Sequence, residues 1–168
     1  NTTVNTYVDN RALFRNTTAN GVTTYGTEDI RVDGVLLEET TKFSEPKSYT
    51  DPEWVHLDSF GGYYFPKGGQ VYVNKTFRQA SADGNDSNDD WNQYSLSAKV
   101  KNGAYSFFEL WLSHGSKPTN GQYSYVMLPE KTAEETQAYT RSPDVEIVKA
   151  TTSLHVVKEK KLGITAMV

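Results

Sequence analysis

A chain of 168 residues, 36% hydrophobic and 12% aromatic, is about one domain's worth; this excludes a disordered segment and allows a single buried core. Its formal net charge of −4 gives the whole surface no attraction for a polyanion, so nucleic acid is not an expected partner and any acidic ligand must meet a local basic patch. There is no cysteine, which excludes a disulfide framework and thiol chemistry, and no apolar run nears the ~20 residues of a membrane span.

Eleven tyrosines, twelve glycines and many threonines and valines favour strands over helices. In chain order, Val4 to Val8 and Arg11 to Arg15 read as strands around the turn-forming pair Asp9-Asn10, and Asn20-Gly21 opens the run VTTY. Asp33-Gly34 punctuates IRV and VLL as a two-residue hairpin does. The segment from Lys42 to Pro52 is polar, holds two prolines and lacks periodicity, so a surface loop is expected before a strand at Trp54 to Leu57. Gly61-Gly62 and Gly68-Gly69 bracket Tyr63-Tyr64-Phe65, and Val71 to Val73 follows as a strand.

From Ala80 to Trp91 apolar residues almost vanish, which predicts a long exposed loop. Asp83, Asn85 and Ser87 alternate like the opening ligands of a calcium loop, but the sixth position is Asn88 rather than Gly and the twelfth is Tyr94 rather than Glu. A helix-loop-helix site is thereby excluded; a looser Ca2+ site at Asp86, Asp89 and Asp90 is one reading and a solvated acidic turn the other, and no cofactor is required. Tyr94 to Val100 and Tyr105 to Ser113 form the next expected hairpin, joined by Asn102-Gly103. In its second strand Phe107, Glu109 and Trp111 share one face and Phe108, Leu110 and Leu112 the other, a pattern of burial on both sides that leaves Glu109 needing a partner. Thr132-Ala133-Glu134-Glu135 has capping-box spacing and predicts a short helix over 132–141, stopped by Pro143. Val145 to Val148, Leu154 to Val157 and Ile164 to Val168 close the chain as strands, with the basic run Lys158 to Lys161 at a turn.

No HExxH, GxSxG, Cys/His cluster or phosphate-cradling glycine loop is present. His56 and His155 fall on strand patterns and read as structural, while His114 sits before a turn, where an imidazole commonly bonds its own loop backbone.

Four stretches carry a family resemblance. They are TYVDNRALF from Thr6, EWVHLDSFGGYYFP from Glu53, ELWLSHGSKPTNGQYSYVMLPEKTAEETQAY from Glu109 and SLHVVKEKKLGITAMV from Ser153. In this order they resemble the central β domain of the family 8 polysaccharide lyases, which include the hyaluronate, chondroitin AC and xanthan lyases; ALFRNTTANGVTTYG from Ala12 inclines the likeness to the xanthan lyases. The resemblance implies an all-β fold, a large antiparallel β-sandwich of the supersandwich type with one short helix, as a single region over residues 1–168. It also implies a bacterial, secreted, extracellular protein acting on an acidic polysaccharide. Such lyases break a glycosidic bond beside a uronic acid by β-elimination, using Asn, His, Tyr and Arg on a helical toroid domain that the resemblance does not find in this chain. No catalytic residue is therefore transferred. As a wall of the substrate cleft, the β domain would offer Lys117, Ser116 and Asn120 in the turn after His114, where a cation and amide suit a carboxylated sugar, and secondly Asn10 and Arg11. The remaining domains of the same enzyme are the implied partners. A stand-alone carbohydrate-binding module and a structural or adhesive β domain are the alternatives, and a part of a lyase should expose an unpaired sheet edge or an apolar face.

Overall fold

The computed structural model describes residues 2–19, 22–37, 43–79 and 104–168. The acidic run with its calcium reading, the Tyr94 to Val100 strand and the Asn20-Gly21 and Asn102-Gly103 turns lie outside the described residues.

Two antiparallel sheets enclose the core. The first is ordered β1 (Thr3–Leu13), β10 (Ala104–Ser116), β9 (Gln70–Gln79) and β6 (Lys47–Thr50). The second is ordered β11 (Val126–Pro129), β8 (Gly61–Tyr64), β7 (Trp54–Leu57), β4 (Ile30–Val32) and β5 (Val35–Leu36). Val8, Leu13, Val71, Val73, Phe108, Leu110 and Leu112 from the first sheet meet Ile30, Val32, Val55, Leu57, Tyr63 and Phe65 from the second in one buried cluster. β2 (Asn16–Ala19) and β3 (Val22–Tyr25) form a separate hairpin, and β12 (Val145–Ala150), β13 (His155–Glu159) and β14 (Ile164–Met167) a three-stranded sheet.

The single helix among the described residues, α1 (Ala133–Arg141), starts as its capping box dictates: Glu135 N–H donates to Thr132 Oγ1 at 3.1 Å and Thr132 N–H donates to Glu135 Oε2 at 3.0 Å. It lies on the back of the second sheet, where Tyr139 meets Tyr64 edge to face and Thr136 rests on Gly62. This third layer explains why all four residues of β7 are buried: Val55 and Leu57 face the core, while Trp54 and His56 lie on the opposite face.

Three local expectations are corrected. Asp9-Asn10 is not a turn but the interior of β1: a β-bulge at Val8 shifts the register, and Asp9 and Asn10 then pair with Leu110 and Glu109 of β10. The expected loop over Lys42 to Pro52 contains β6, an edge strand whose pairing with β9 at Lys47↔Val73 and Thr50↔Gln70 comes from tertiary contact; Pro46 and Pro52 flank it without interrupting the ladder. Finally, β10 is fully buried on one face only. Phe108, Leu110 and Leu112 are in the core, whereas Phe107, Glu109 and Trp111 are half-exposed on the outer face, where Glu109 accepts a hydrogen bond from Asn74 Nδ2 at 3.0 Å.

The Asp33-Gly34 hairpin is as expected, with φ of 49° and 88° supplying the left-handed pair that a tight β4–β5 turn needs. The three-stranded sheet leaves Val148, Ile164 and Met167 more than half exposed, with Ile164 and Met167 on opposite faces of β14.

Candidate functional site

The proposed contact residues fall into two groups at opposite ends of β1. Thr3 pairs with Ser116 and Arg11 with Phe108, so the turn carrying Lys117 and the Asn10-Arg11 pair are roughly 20–25 Å apart at the rise of a strand. They cannot grip one sugar ring together.

At the Arg11 end the chemistry points inward. Arg11 Nε donates to Asp9 Oδ2 at 2.6 Å, and the guanidinium lies 3.8 Å over the Phe60 ring. The Tyr63 hydroxyl donates to the same Asp9 oxygen, and burial together with this bond holds the Tyr63 hydroxyl well above the ordinary tyrosine range. Asn10, opposite Glu109, is exposed on the outer face. Phe60 also lines a cleft of about 530 Å³ with Arg31, His56, Asp58, Lys131 and Glu134. Of its cations, Arg31 is bridged to Asp29 and Asp58 at 3.5 and 3.4 Å and Lys131 to Glu135 at 3.0 Å, so they are already matched by carboxylates. His56 Nε2 lies 2.9 Å from the Lys131 carbonyl and ties the loop before α1 to β7.

The other end is built differently. His114 does not bond its own loop: its Nε2 lies 2.8 Å from Thr6 Oγ1 on β1. Its ring packs at 5.8 Å from Tyr123, which in turn stacks on Tyr125 at 6.5 Å and 15°. Between them the chain turns through Gly115, Lys117 and Asn120, all left-handed at φ of 71°, 54° and 56°. Asn adopts this conformation readily; a lysine there costs about 1 kcal/mol and holds an exposed cation on a defined turn. Asn120 then joins Gln122, Tyr123, Thr152 and His155 around a cleft of 350 Å³ whose far wall is the β12–β13 hairpin tip. That tip is braced by Thr151, whose Oγ1 accepts from Leu154 N–H at 3.0 Å and whose own N–H donates to Leu154 O at 3.0 Å.

Of the residues singled out from sequence, Asn120 lines this cleft, with Ser116 and Lys117 on the same exposed turn, and Asn10 and Arg11 belong elsewhere. Tyr123 and His155 were not legible as site residues, since they meet only because two turns some thirty residues apart converge. The one local signal was the aromatic alternation of Gln122 to Tyr125 directly after Asn120-Gly121.

Comparison with known proteins places the chain in a family. Residues 1–140 match the family model of the polysaccharide lyase family 8 super-sandwich domain. The chain is 31% identical to a xanthan lyase of Bacillus sp. (strain GL1) over 96% of its own length and 16% of that protein's. It is 27% identical to a hyaluronate lyase of Thermasporomyces composti over 79% of the chain and 14% of the relative. The solved Paenibacillus xanthan lyase superposes with a TM-score of 0.73 and 29% identity over 98% of this chain and 15% of that one. A Streptomyces coelicolor A3 chondroitin AC lyase shares the fold, with a TM-score of 0.63 at 19% identity. The chain thus spans about a sixth of the length of these relatives, and it belongs to polysaccharide lyase family 8, its residues 1–140 matching the super-sandwich domain.

Proposed function

We propose that this chain is the cleft-wall portion of a polysaccharide lyase acting by β-elimination on a uronic-acid-containing polysaccharide, xanthan first and hyaluronan or chondroitin second. It supports substrate binding, while the proton-transferring groups reside on a helical domain outside this sequence. The relatives, named xanthan and hyaluronate lyases, supply the substrate class. The observation that carries the reading is the turn holding Lys117 and Asn120 beside Tyr123 and His155, around a cleft lined, among the described residues, by no carboxylate. A cation with amides and an aromatic ring suits an acidic sugar and repels none of its charge.

The exposed Ile164 and Met167, on the two faces of the β12–β14 sheet, fit side chains that other parts of the same enzyme cover. A stand-alone binding module fits less well. The outer-face aromatics Tyr72 and Trp111 lie 5.2 Å apart and 6° from parallel, so each covers one face of the other.

Affinity electrophoresis through gels containing xanthan, hyaluronan or a neutral glucan tests this reading. Retardation by the acidic polymers that weakens with salt is expected; equal mobility in all three gels would refute it.

A further inference from the structure

We propose that the cleft between the 117–123 turn and the β12–β13 hairpin tip is a subsite for one carboxylated pyranose, with Tyr123 as the face on which the ring rests and His155 as its polar partner on the opposite wall. This rests on the reading above and deepens it by assigning contact residues and the unit they take.

Four observations converge. At 350 Å³ the cleft is at the small end of ligand sites, room for one sugar ring and its substituents. Tyr123 is 56% exposed, yet its ring is braced by Tyr125 and by His114, itself fixed to Thr6, so an aromatic ring is held rigidly toward solvent. The opposite wall is equally stiff, because Thr151 closes the hairpin tip and His155 is locked at the backbone by two bonds to Val168, at 2.8 and 2.9 Å. Lastly, the lining offers amides, hydroxyls and an imidazole but no acid, and Lys117 stands on the adjoining turn. An aromatic face with converging polar groups is the composition that binds a sugar ring, whose carbon-bound hydrogens pack on the ring while its hydroxyls seek donors and acceptors. Rigid walls lower the ordering cost of the bound state.

Amide-resolved NMR titration of the full chain with a hyaluronan tetrasaccharide, a xanthan-derived acidic oligosaccharide and a neutral cello-oligosaccharide tests the assignment. Shifts should centre on residues 117–123 and 150–155 for the two acidic probes and be weaker for the neutral one. Tyr123→Ala should weaken acidic binding about three- to tenfold, Tyr123→Phe should retain it, and His155→Ala should weaken it by a similar factor with an otherwise unchanged amide spectrum. Acidic probes that bind with shifts elsewhere, indifferent to Tyr123→Ala and His155→Ala, would overturn the subsite while leaving the cleft-wall function standing. Absence of binding by either acidic probe would overturn both.

Discussion

Arg11 and Phe60 clamp the two sheets together: the guanidinium of the β1 residue lies 3.8 Å over the ring that precedes β8 while bonding Asp9 at 2.6 Å. Asp9, only 9% exposed at its side chain, depends on that cation. Arg11→Ala should therefore cost about 1–3 kcal/mol in urea denaturation, and Arg11→Lys should recover only part, since an ammonium cannot both fork to the carboxylate and stack flat on the ring. A loss below about 0.5 kcal/mol would show the clamp to be idle.

Tyr63 gives the fold an alkaline limit. Its hydroxyl is held above the usual range first by burial and then by Asp9, and Tyr49 and Tyr64 are shifted the same way by burial. A group whose folded pKa is raised leaves stability intact below its unfolded value, near 10 for tyrosine, and stability falls as pH climbs above that. Ultraviolet titration should show some tyrosines ionising only as the circular dichroism signal collapses, and Tyr63→Phe should soften the alkaline limb. Smooth ionisation of every tyrosine near pH ~10 with the fold intact would contradict this.

The capping box sets an acidic counterpart. Glu135 is held below the usual carboxylate range first by the Thr132 backbone N–H and then by Lys131. Its contribution is present above the unfolded value and lost as pH falls through the lower folded one, so the start of α1 should loosen below about pH 4. Thr132→Ala should cost about 1 kcal/mol in thermal melts at neutral pH. Hydrogen exchange of the Glu135 and Thr136 amides reports both effects.

Helix α1 sits where it does because Gly62 lacks a side chain. A Cβ there would meet Thr136 Oγ1 at 2.2 Å and Cγ2 at 2.5 Å, and Thr136 is fully buried. Gly62→Ala should destabilise by about 1–3 kcal/mol, with partial rescue by Thr136→Ala. An unchanged melting temperature would mean the helix does not pack on β8.

Lys117 separates binding from stability. Its φ of 54° favours glycine, so Lys117→Gly should leave the unfolding midpoint within about 0.5 kcal/mol of the parent, relief of strain offsetting chain entropy. Affinity for an acidic oligosaccharide, read by calorimetry, should still fall several-fold.

Features encoded within a few residues were legible from sequence: the Asp33-Gly34 hairpin, the Thr132 to Glu135 cap, and the alternation that sends Phe108, Leu110 and Leu112 to the core. What depended on distant partners was not. Asp9-Asn10 has turn-forming residues, but Tyr63 and Arg11 hold Asp9 within a bulged strand. β6 is a strand only because β9 offers it an edge. In the candidate site, the Lys117 to Asn120 turn could be read locally, whereas Tyr123 and His155 face one cleft only after β12 and β13 have folded back.

The central claim is that recognition lies in this chain and proton transfer outside it. Incubating the purified chain with xanthan, hyaluronan and chondroitin and following the ultraviolet absorbance of unsaturated uronate tests it most directly. A flat trace at chain concentrations that visibly retard the same polymers is the expected result; absorbance rising in proportion to added chain would contradict it.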